Sequence, residues 1–227
     1  FPEVVKAGKG LWHCIHPVWL EEQLGDVLGR LGVETLDVCL LHNPEYFLAD
    51  AAKQRVPLAE ARAEYYRRIT EAFRHLEQEV ERGRIRFYGV SSNTAVDPAQ
   101  DPEATSLSQL VEAARVAGGS SHHFRVLQLP MNLLEPGAAL EPNTGKGDAV
   151  TALDLARTEG VAVLVNRPLN ALIDGKLVRL ADPPDFADAP SFAERLAAVK
   201  TLEAEFVTTI APSIQVPKES GLRAADF

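Results

Sequence analysis

Leu36-Asp37-Val38-Cys39-Leu40-Leu41-His42-Asn43-Pro44 is the stretch from which the rest of the chain can be read. Six residues, nearly all apolar, end abruptly at a polar, proline-closed tip. This is the pattern of a parallel strand buried on both faces. Upstream, Pro17 sits where a first-turn proline opens a helix, and Leu20, Leu24, Val27, Leu28 and Leu31 recur at helical spacing. Gly32 stops that helix and leads straight into the strand. Downstream, a long loop is expected through Tyr46 to Val56. A second helix follows from Pro57 to Arg82, striped by Tyr66, Ile69, Phe73, Leu76 and Val80. Gly83 caps it, Ile85 to Val90 is the next strand, and Ser91-Ser92-Asn93 close that strand.

The unit then repeats. Leu107 to Ala117 predicts a helix, Gly118 and Gly119 its stop, and Phe124 to Leu129 a strand. A loop is expected from Met131 to Gly147, then a helix from Ala149 to Thr158, a Gly160 cap and a strand from Val161 to Val165 that ends at Asn166-Arg167-Pro168. After Pro183, Pro184 and Pro190, Ser191 caps a long helix striped by Leu196, Val199, Leu202, Phe206 and Ile210. Ile214 to Val216 is a fainter strand candidate, and Lys6 to Leu11 reads as a glycine-bearing connector. Strands alternating with helices make a parallel sheet with right-handed crossovers, so every strand's C-terminal end lies on one side. Short glycine turns at strand starts and long polar loops at strand ends fit a (β/α)8 TIM barrel. The alternative is an open doubly wound sheet, but its glycine-rich phosphate loop after a strand is missing.

The chain has 227 residues, 46% hydrophobic and 24% charged, which suits one large folded domain spanning residues 1–227. A full barrel of this kind takes about 250 residues and eight strands. The lone methionine is Met131, so Phe1 is not an initiator, and the missing strands are expected before it. Leu222 to Phe227 reads as helical with no stop signal, which suggests that the C-terminus is also cut. A net charge of −9 argues against nucleic acid and anionic membrane partners. Two cysteines, Cys14 and Cys39, offer no disulfide framework, so a cytoplasmic setting is expected. No apolar run approaches the roughly 18 residues of a membrane span.

The strand ends offer His42, Asn43 and Glu45; Ser91, Ser92 and Asn93; Gln128 and Asn132; and Asn166, Arg167 and Asn170. This set is rich in amides and hydroxyls. It lacks the carboxylates of a Mg²⁺ or Ca²⁺ site, the ligand number of a Zn²⁺ site and the lysine of a Schiff-base enzyme. It suits a neutral planar hydrogen-bonding ligand such as a carboxamide, and Arg167 adds a fork for phosphate or carboxylate. Asn, Ser and Pro are also ordinary turn residues. His13, Cys14 and His16 could be metal ligands, but a loop leading into a helix start accounts for them better. His122-His123 reads as surface, and Glu64 with Arg67 and Arg68 as a solvated helix face.

Arg30-Leu31-Gly32 followed by Leu36 through Glu45 resembles the aldo-keto reductase family around its fourth barrel strand. Gly83-Arg84-Ile85-Arg86 with Gly89-Val90-Ser91-Ser92-Asn93 resembles the fifth strand, Gln128 with Asn132 the sixth, and Asn166-Arg167-Pro168-Leu169 a variant of the seventh. Trp12 through Pro17 resembles a divergent branch of the family. The matches follow in order at barrel-unit spacing. The resemblance implies metal-free, NAD(P)H-dependent reduction of an aldehyde or ketone, or the reverse oxidation. The family's chemistry rests on an Asp, a Tyr, a Lys and a His, the Tyr giving the proton. His42 matches that histidine. Ser91 and Gln128 match the residues that hold the nicotinamide carboxamide, and Ser92 or Asn93 the asparagine beside them. Asn166, Arg167 and Leu169 fall at further cofactor-side positions, with Asn166 where the family usually stacks a tyrosine. The Asp, Tyr and Lys are not matched in this chain, and neither Lys6, Lys9 nor Tyr46 takes their place, so the chain alone is expected to be inactive. Pro217-Lys218-Glu219-Ser220 with Arg223 only faintly resembles the family's 2′-phosphate site, so NADP(H) is the family default and NAD(H) an option. Two other functions fit: a cofactor-binding pseudoenzyme or regulatory subunit, and a barrel lyase or isomerase gripping a phosphate with Arg167. The substrate would be a small carbonyl compound or alcohol chosen by the loops Tyr46 to Pro57 and Leu133 to Gly147. Oligomeric state is left open. The functional expectation reduces to one arrangement: His42, Ser91, Gln128 and Arg167 gathered round one pocket at one rim.

Overall fold

The computed structural model describes residues 1–173, 175–181 and 190–210. The fainter strand at 214–216, the 217–223 phosphate motif and the terminal helix at 222–227 lie outside them. The chain divides into two compact units, Phe1–Ala181 and Asp182–Phe227.

In the first unit, β1 (Val5–Gly8) and β2 (Leu11–His13) form an antiparallel hairpin where a connector was expected. Lys6 lies over the Trp12 ring at 5.2 Å, a cross-strand contact that helps hold the pair. Then comes α1 (Pro17–Leu31). His16 is its N-cap: Nδ1 accepts from the Val18 N–H at 3.3 Å. Gly32, at φ 65°, ends it by donating to the Leu28 carbonyl. β3 (Leu36–His42) follows as expected. The segment after it is not a loop but α2 (Tyr46–Lys53), whose Leu48 and Ala51 are buried in the core. Next are α3 (Leu58–Glu81), β4 (Ile85–Ser91), α4 (Leu107–Gly118) and β5 (Phe124–Pro130).

The 131–147 segment contains a turn of helix, α5 (Gly137–Leu140), and β6 (Pro142–Thr144), which pairs with β7 (Val150–Thr151). Helix α6 (Ala152–Glu159) starts later than its apolar pattern suggested, because Thr151 caps it by accepting from the Asp154 N–H. After β8 (Ala162–Asn166), β9 (Asn170–Ile173) and β10 (Lys176–Arg179) make a hairpin that apolar periodicity did not reveal. In the second unit, α7 (Phe192–Glu205) carries the expected cap, a reciprocal Ser191–Glu194 box. Its stripe of Leu196, Val199 and Leu202 is exposed rather than buried.

The parallel strands stand in the order β3-β4-β5-β8, each beside the next parallel strand in sequence, as in a run of barrel units, and the sheet is open. Side chains alternate across it. One face turns Leu41, Tyr88, Val90, Leu127 and Leu129 into the buried core beneath α3. Phe73 of α3 meets Tyr88 at 4.9 Å and Phe124 at 5.3 Å there. Phe124 reaches that face through a bulge: Tyr88 pairs with Phe124 but Gly89 with Val126, so Arg125 is an extra residue that flips the alternation. The other face carries Val38, Leu40 and His42; Phe87, Gly89 and Ser91; Val126 and Gln128; Ala162, Leu164 and Asn166. It is more open, with Val38 37%, Phe87 40% and Leu164 47% exposed. β3 is therefore not buried on both faces. It is an outer strand of the sheet, and among the described residues no layer covers this second face.

Ionic ties fasten the edges. Glu79, fully buried at the end of α3, pairs with Arg82 and Arg84, and both arginines also reach Glu21 of α1. Glu64 takes Arg67 at 2.6 Å and Arg68 at 2.8 Å, bonds that hold its carboxyl down to about 2. The latter pair is less solvated than expected, since Arg68 stacks on Phe47 at 4.2 Å. His122 is buried, not surface, and His123 binds Glu77 at 2.7 Å.

Two outcomes follow from these contacts. A Cβ on Gly89 would lie 2.0 Å from the Val126 carbonyl oxygen and 2.8 Å from Leu40 Cδ2, so the strands meet backbone to side chain only because position 89 has none. Gly89→Ala is expected to cost about 3 kcal/mol, read from the urea midpoint. An unchanged midpoint would mean that the sheet relaxes freely around it. Asp97, in the loop after β4, has its carboxyl pushed up to about 6 by burial and by the neighbouring Asp101, Glu103 and Glu135. An acid whose folded pKa is raised binds more protons when folded, so its contribution to stability falls as pH rises from 3.8 through about 6. Asp97→Asn is expected to remove that part of the pH dependence in urea titrations. Parallel curves for the two proteins would contradict it.

Candidate functional site

Three parallel strands end side by side. His42 pairs in register with Ser91, and Ser91 with Gln128. Because the pairs are in register, all three side chains leave the same face of the sheet. Ser91 is buried and its Oγ donates to Gln128 Oε1 at 2.7 Å. The Gln128 amide nitrogen keeps its donors, and the Ser91 oxygen keeps acceptor capacity. Asn166, at the end of β8, leaves the same face, and its Oδ1 is buried without a partner. His42 is exposed, and its backbone carbonyl accepts from the His13 ring at 2.7 Å.

Ser92 turns the other way. It is fully buried, its hydroxyl lies 3.3 Å from Thr94 Oγ1, and its N–H donates to the Gln128 carbonyl. Asn93 stands on the rim instead. Its N–H donates to Glu45 Oε1 at 2.8 Å, its Nδ2 to Asn43 Oδ1 at 3.2 Å, and its Oδ1 accepts from Arg167 at 3.1 Å. Asn43, at φ 49°, anchors its loop by donating its N–H to the Ser91 carbonyl at 2.7 Å, and its side chain donates to the Tyr46 hydroxyl. Tyr46 thus helps to hold the loop that follows β3.

Arg167, at φ 56°, also reaches Glu135 Oε1 at 2.8 Å. The second Glu135 oxygen accepts from Asn132 Nδ2 at 2.7 Å and from the Leu172 N–H at 3.1 Å. Burial opposes ionisation of Glu135, but the bonds from Asn132, Leu172 and Arg167 outweigh it and hold the carboxyl low. Burial pushes the Glu45 carboxyl up, against the Asn93 N–H that binds it. A belt of hydrogen bonds therefore runs from Tyr46 through Asn43, Asn93, Arg167 and Glu135 to the β9 backbone. The side chain of Leu169 points to solvent, 58% exposed, while its carbonyl accepts from the Leu180 N–H. Glu135 was not anticipated. The Asn132-to-Glu135 spacing, with Asn132 Oδ1 accepting from the Leu134 and Glu135 N–H groups, is the Asx-turn signal that could have marked it.

A cavity of about 420 Å³ follows the outer edge of β3, lined by Trp12, His13, Trp19, Val38, Leu40 and His42. Of the four residues expected to gather, only His42 lines it. Ser91 and Gln128 adjoin His42 on the open face, and Arg167 joins the rim through Asn93. His13, Cys14 and His16 have separate tasks: His13 binds the His42 carbonyl, Cys14 Sγ lies 3.4 Å from the Pro2 carbonyl oxygen, and His16 caps α1. Among the described residues, Glu21, His75 and Glu79 alone have metal-ligand spacing, and Arg82 and Arg84 already neutralise both carboxylates. The donor set fits a carboxamide: an amide N–H₂ for Asn166 Oδ1, and an amide oxygen for Gln128 Nε2. No helix among the described residues is long and apolar enough to cross a membrane.

The chain matches the Aldo/keto reductase family over residues 7–205. No curated protein matches it in sequence. Among solved structures it is similar to the glycerol dehydrogenase of Gluconobacter oxydans, at 21% identity and TM-score 0.42, over 93% of this chain and 50% of that one. It is also similar to an aldo-keto reductase of Bombyx mori in complex with NADP, at 16% identity and TM-score 0.40, over 87% and 53%. A thermostable aldo-keto reductase in complex with epalrestat is 19% identical at TM-score 0.43, over 68% and 41%. The chain thus spans about half or less of the length of these structures. The family match covers most of the chain, in line with the parallel strand-and-helix units described above, and the chain belongs to the aldo/keto reductase family.

Proposed function

We propose that the row His42–Ser91–Gln128 serves NAD(P)H-dependent reduction of an aldehyde or ketone, or the reverse oxidation. The observation that carries this is the 2.7 Å bond from Ser91 Oγ to Gln128 Oε1, one strand away from His42. That bond fixes the Gln128 amide so that its nitrogen presents donors on the open face. Gln128 Nε2 and Asn166 Oδ1 would hold the two ends of a nicotinamide carboxamide. The bound nicotinamide supplies the hydride. His42 borders the β3-edge cavity and can direct a ring N–H toward a carbonyl oxygen beside that ring, orienting the carbonyl and stabilising negative charge on its oxygen. The belt through Asn93, Arg167 and Glu135 holds the three strand ends at fixed separation. The ion pair between Arg167 and Glu135 tells against a phosphate-gripping lyase, since the guanidinium already has a carboxylate. The family tetrad's Asp, Tyr and Lys have no match here, which keeps a cofactor-binding, non-catalytic role as the second reading.

Titration of the chain with NADPH, followed by the fluorescence of Trp12 and Trp19 beside His42, tests this. Gln128→Leu is expected to weaken binding about tenfold, as loss of a directed hydrogen-bonding group does, and His42→Ala to leave it within about twofold. Equal losses would make His42 part of the cofactor cradle or of the fold. With NADPH and a simple aldehyde, the chain is expected to give no steady absorbance loss at the nicotinamide band, for want of the proton donor. Measurable turnover would show that another group here supplies the proton.

A further inference from the structure

A second cavity, again about 420 Å³, lies between α3, the start of α4 and the 143–148 segment. It is separate from the strand-end row: none of His42, Ser91, Gln128 and Arg167 lines it. Its polar walls are Arg62, Tyr66, Ser108, Gln109, Asn143 and Asp148.

Two of these side chains are incompletely used, in opposite senses. Asn143 is only 3% exposed. Its Nδ2 donates to the Ala95 carbonyl at 3.1 Å and the Asp97 carbonyl at 2.7 Å, so the amide is oriented with Oδ1 away from that strap. Oδ1 is buried and has no hydrogen-bond partner. Arg62 gives one terminal nitrogen to the Ala99 carbonyl at 2.7 Å and the Asp101 carbonyl at 2.8 Å, while its Nε–H is buried without an acceptor. Leaving such groups unpaired costs about 1–3 kcal/mol each, and a native site that holds them in place calls for a partner. One wants a donor and the other an acceptor. A hydroxyl is both at once, and vicinal hydroxyls meet a planar amide and a guanidinium edge together.

The neighbouring groups agree. Tyr66 accepts the Ser106 N–H at 2.9 Å, which leaves its own proton to donate. Ser106 makes no side-chain cap to α4, and its hydroxyl lies 3.0 Å from Thr144 Oγ1, which in turn accepts the Ser108 N–H. Arg62 and Asp148 bring one charge of each sign, so the cavity favours a neutral ligand over an anion. We infer that this cavity binds a small neutral polyhydroxylated molecule, a polyol or monosaccharide, on the outer side of the strand-and-helix layer.

The test is a titration of the whole chain with glucose and with glycerol, read by amide chemical shifts, with gluconate and inorganic phosphate as anionic probes. Saturable millimolar shifts with a neutral probe, centred on Ser106–Gln109 and Asn143–Gly145, are expected. Arg62→Lys, which keeps the charge but removes Nε–H, should weaken that binding about fivefold. Ala63→Trp, a substitution at an exposed α3 position lining the cavity, should abolish it by filling the space. If Ala63→Trp disturbs the fold, the Arg62→Lys titration decides. Absence of a saturable shift with either neutral probe would mean that water alone serves Oδ1 and Nε–H, and would overturn the inference. Shifts with gluconate or phosphate but with neither neutral probe would overturn it too, as would undiminished binding by folded Ala63→Trp.

Discussion

The hydrogen-bond ladder that sets Ser91 opposite both His42 and Gln128 is the constraint on which the strand-end site depends. In a parallel sheet a slip of one residue would send each of these side chains to the helix-packed face. Two local devices keep the register. Gly89 lets β4 and β5 approach so closely that no side chain fits between them. The bulge at Arg125 lets Phe124 join Tyr88 and Phe73 in the core while Gln128, a few residues on, still faces the opposite side. Core packing and site geometry ask for different alternations along β5, and one extra residue reconciles them.

Beyond the ladder, the rim is a system of polar groups that satisfy one another. Asn43 and Arg167 both sit in left-handed backbone, a strained conformation for residues with side chains, and both are held there by bonds to Asn93. Glu135 compensates the Arg167 charge and ties the β5 and β8 loops to the β9 backbone. Such a network fixes the strand ends, as suits the proposed role of holding a planar ring and a carbonyl at set distances. The buried acceptor on Asn166 then stands out because nearly everything around it is paired.

The same logic separates the two cavities. The one along β3 is bordered by His42 and two tryptophans and is mostly apolar. The one at the start of α4 is walled by amides, hydroxyls and a balanced pair of charges, and has no part in the strand-end row. Under the proposed roles the two walls suit different occupants: a carbonyl compound beside His42 in the first case, a hydroxyl-bearing molecule in the second.

Much of this was legible in the linear chain. The strands at Leu36, Ile85, Phe124 and Val161 appear within a residue or so of their expected limits, because nearly unbroken apolar runs between glycine turns and polar tips have few other solutions. Pro17, Gly32 and Ser191 announced their helix boundaries by local backbone and capping chemistry. The placement of His42, Ser91 and Gln128 at strand ends was legible by residue type and family pattern. Helix α2, the two flanking hairpins and the burial of His122 were not, since short elements take their stability from contacts far along the chain rather than from their own periodicity. The bulge at Arg125, the inward turn of Ser92 and the clamp by Glu135 were decided only in three dimensions: each depends on which atom of a distant strand or loop lies within hydrogen-bonding reach, and that distance is set by packing, not by composition.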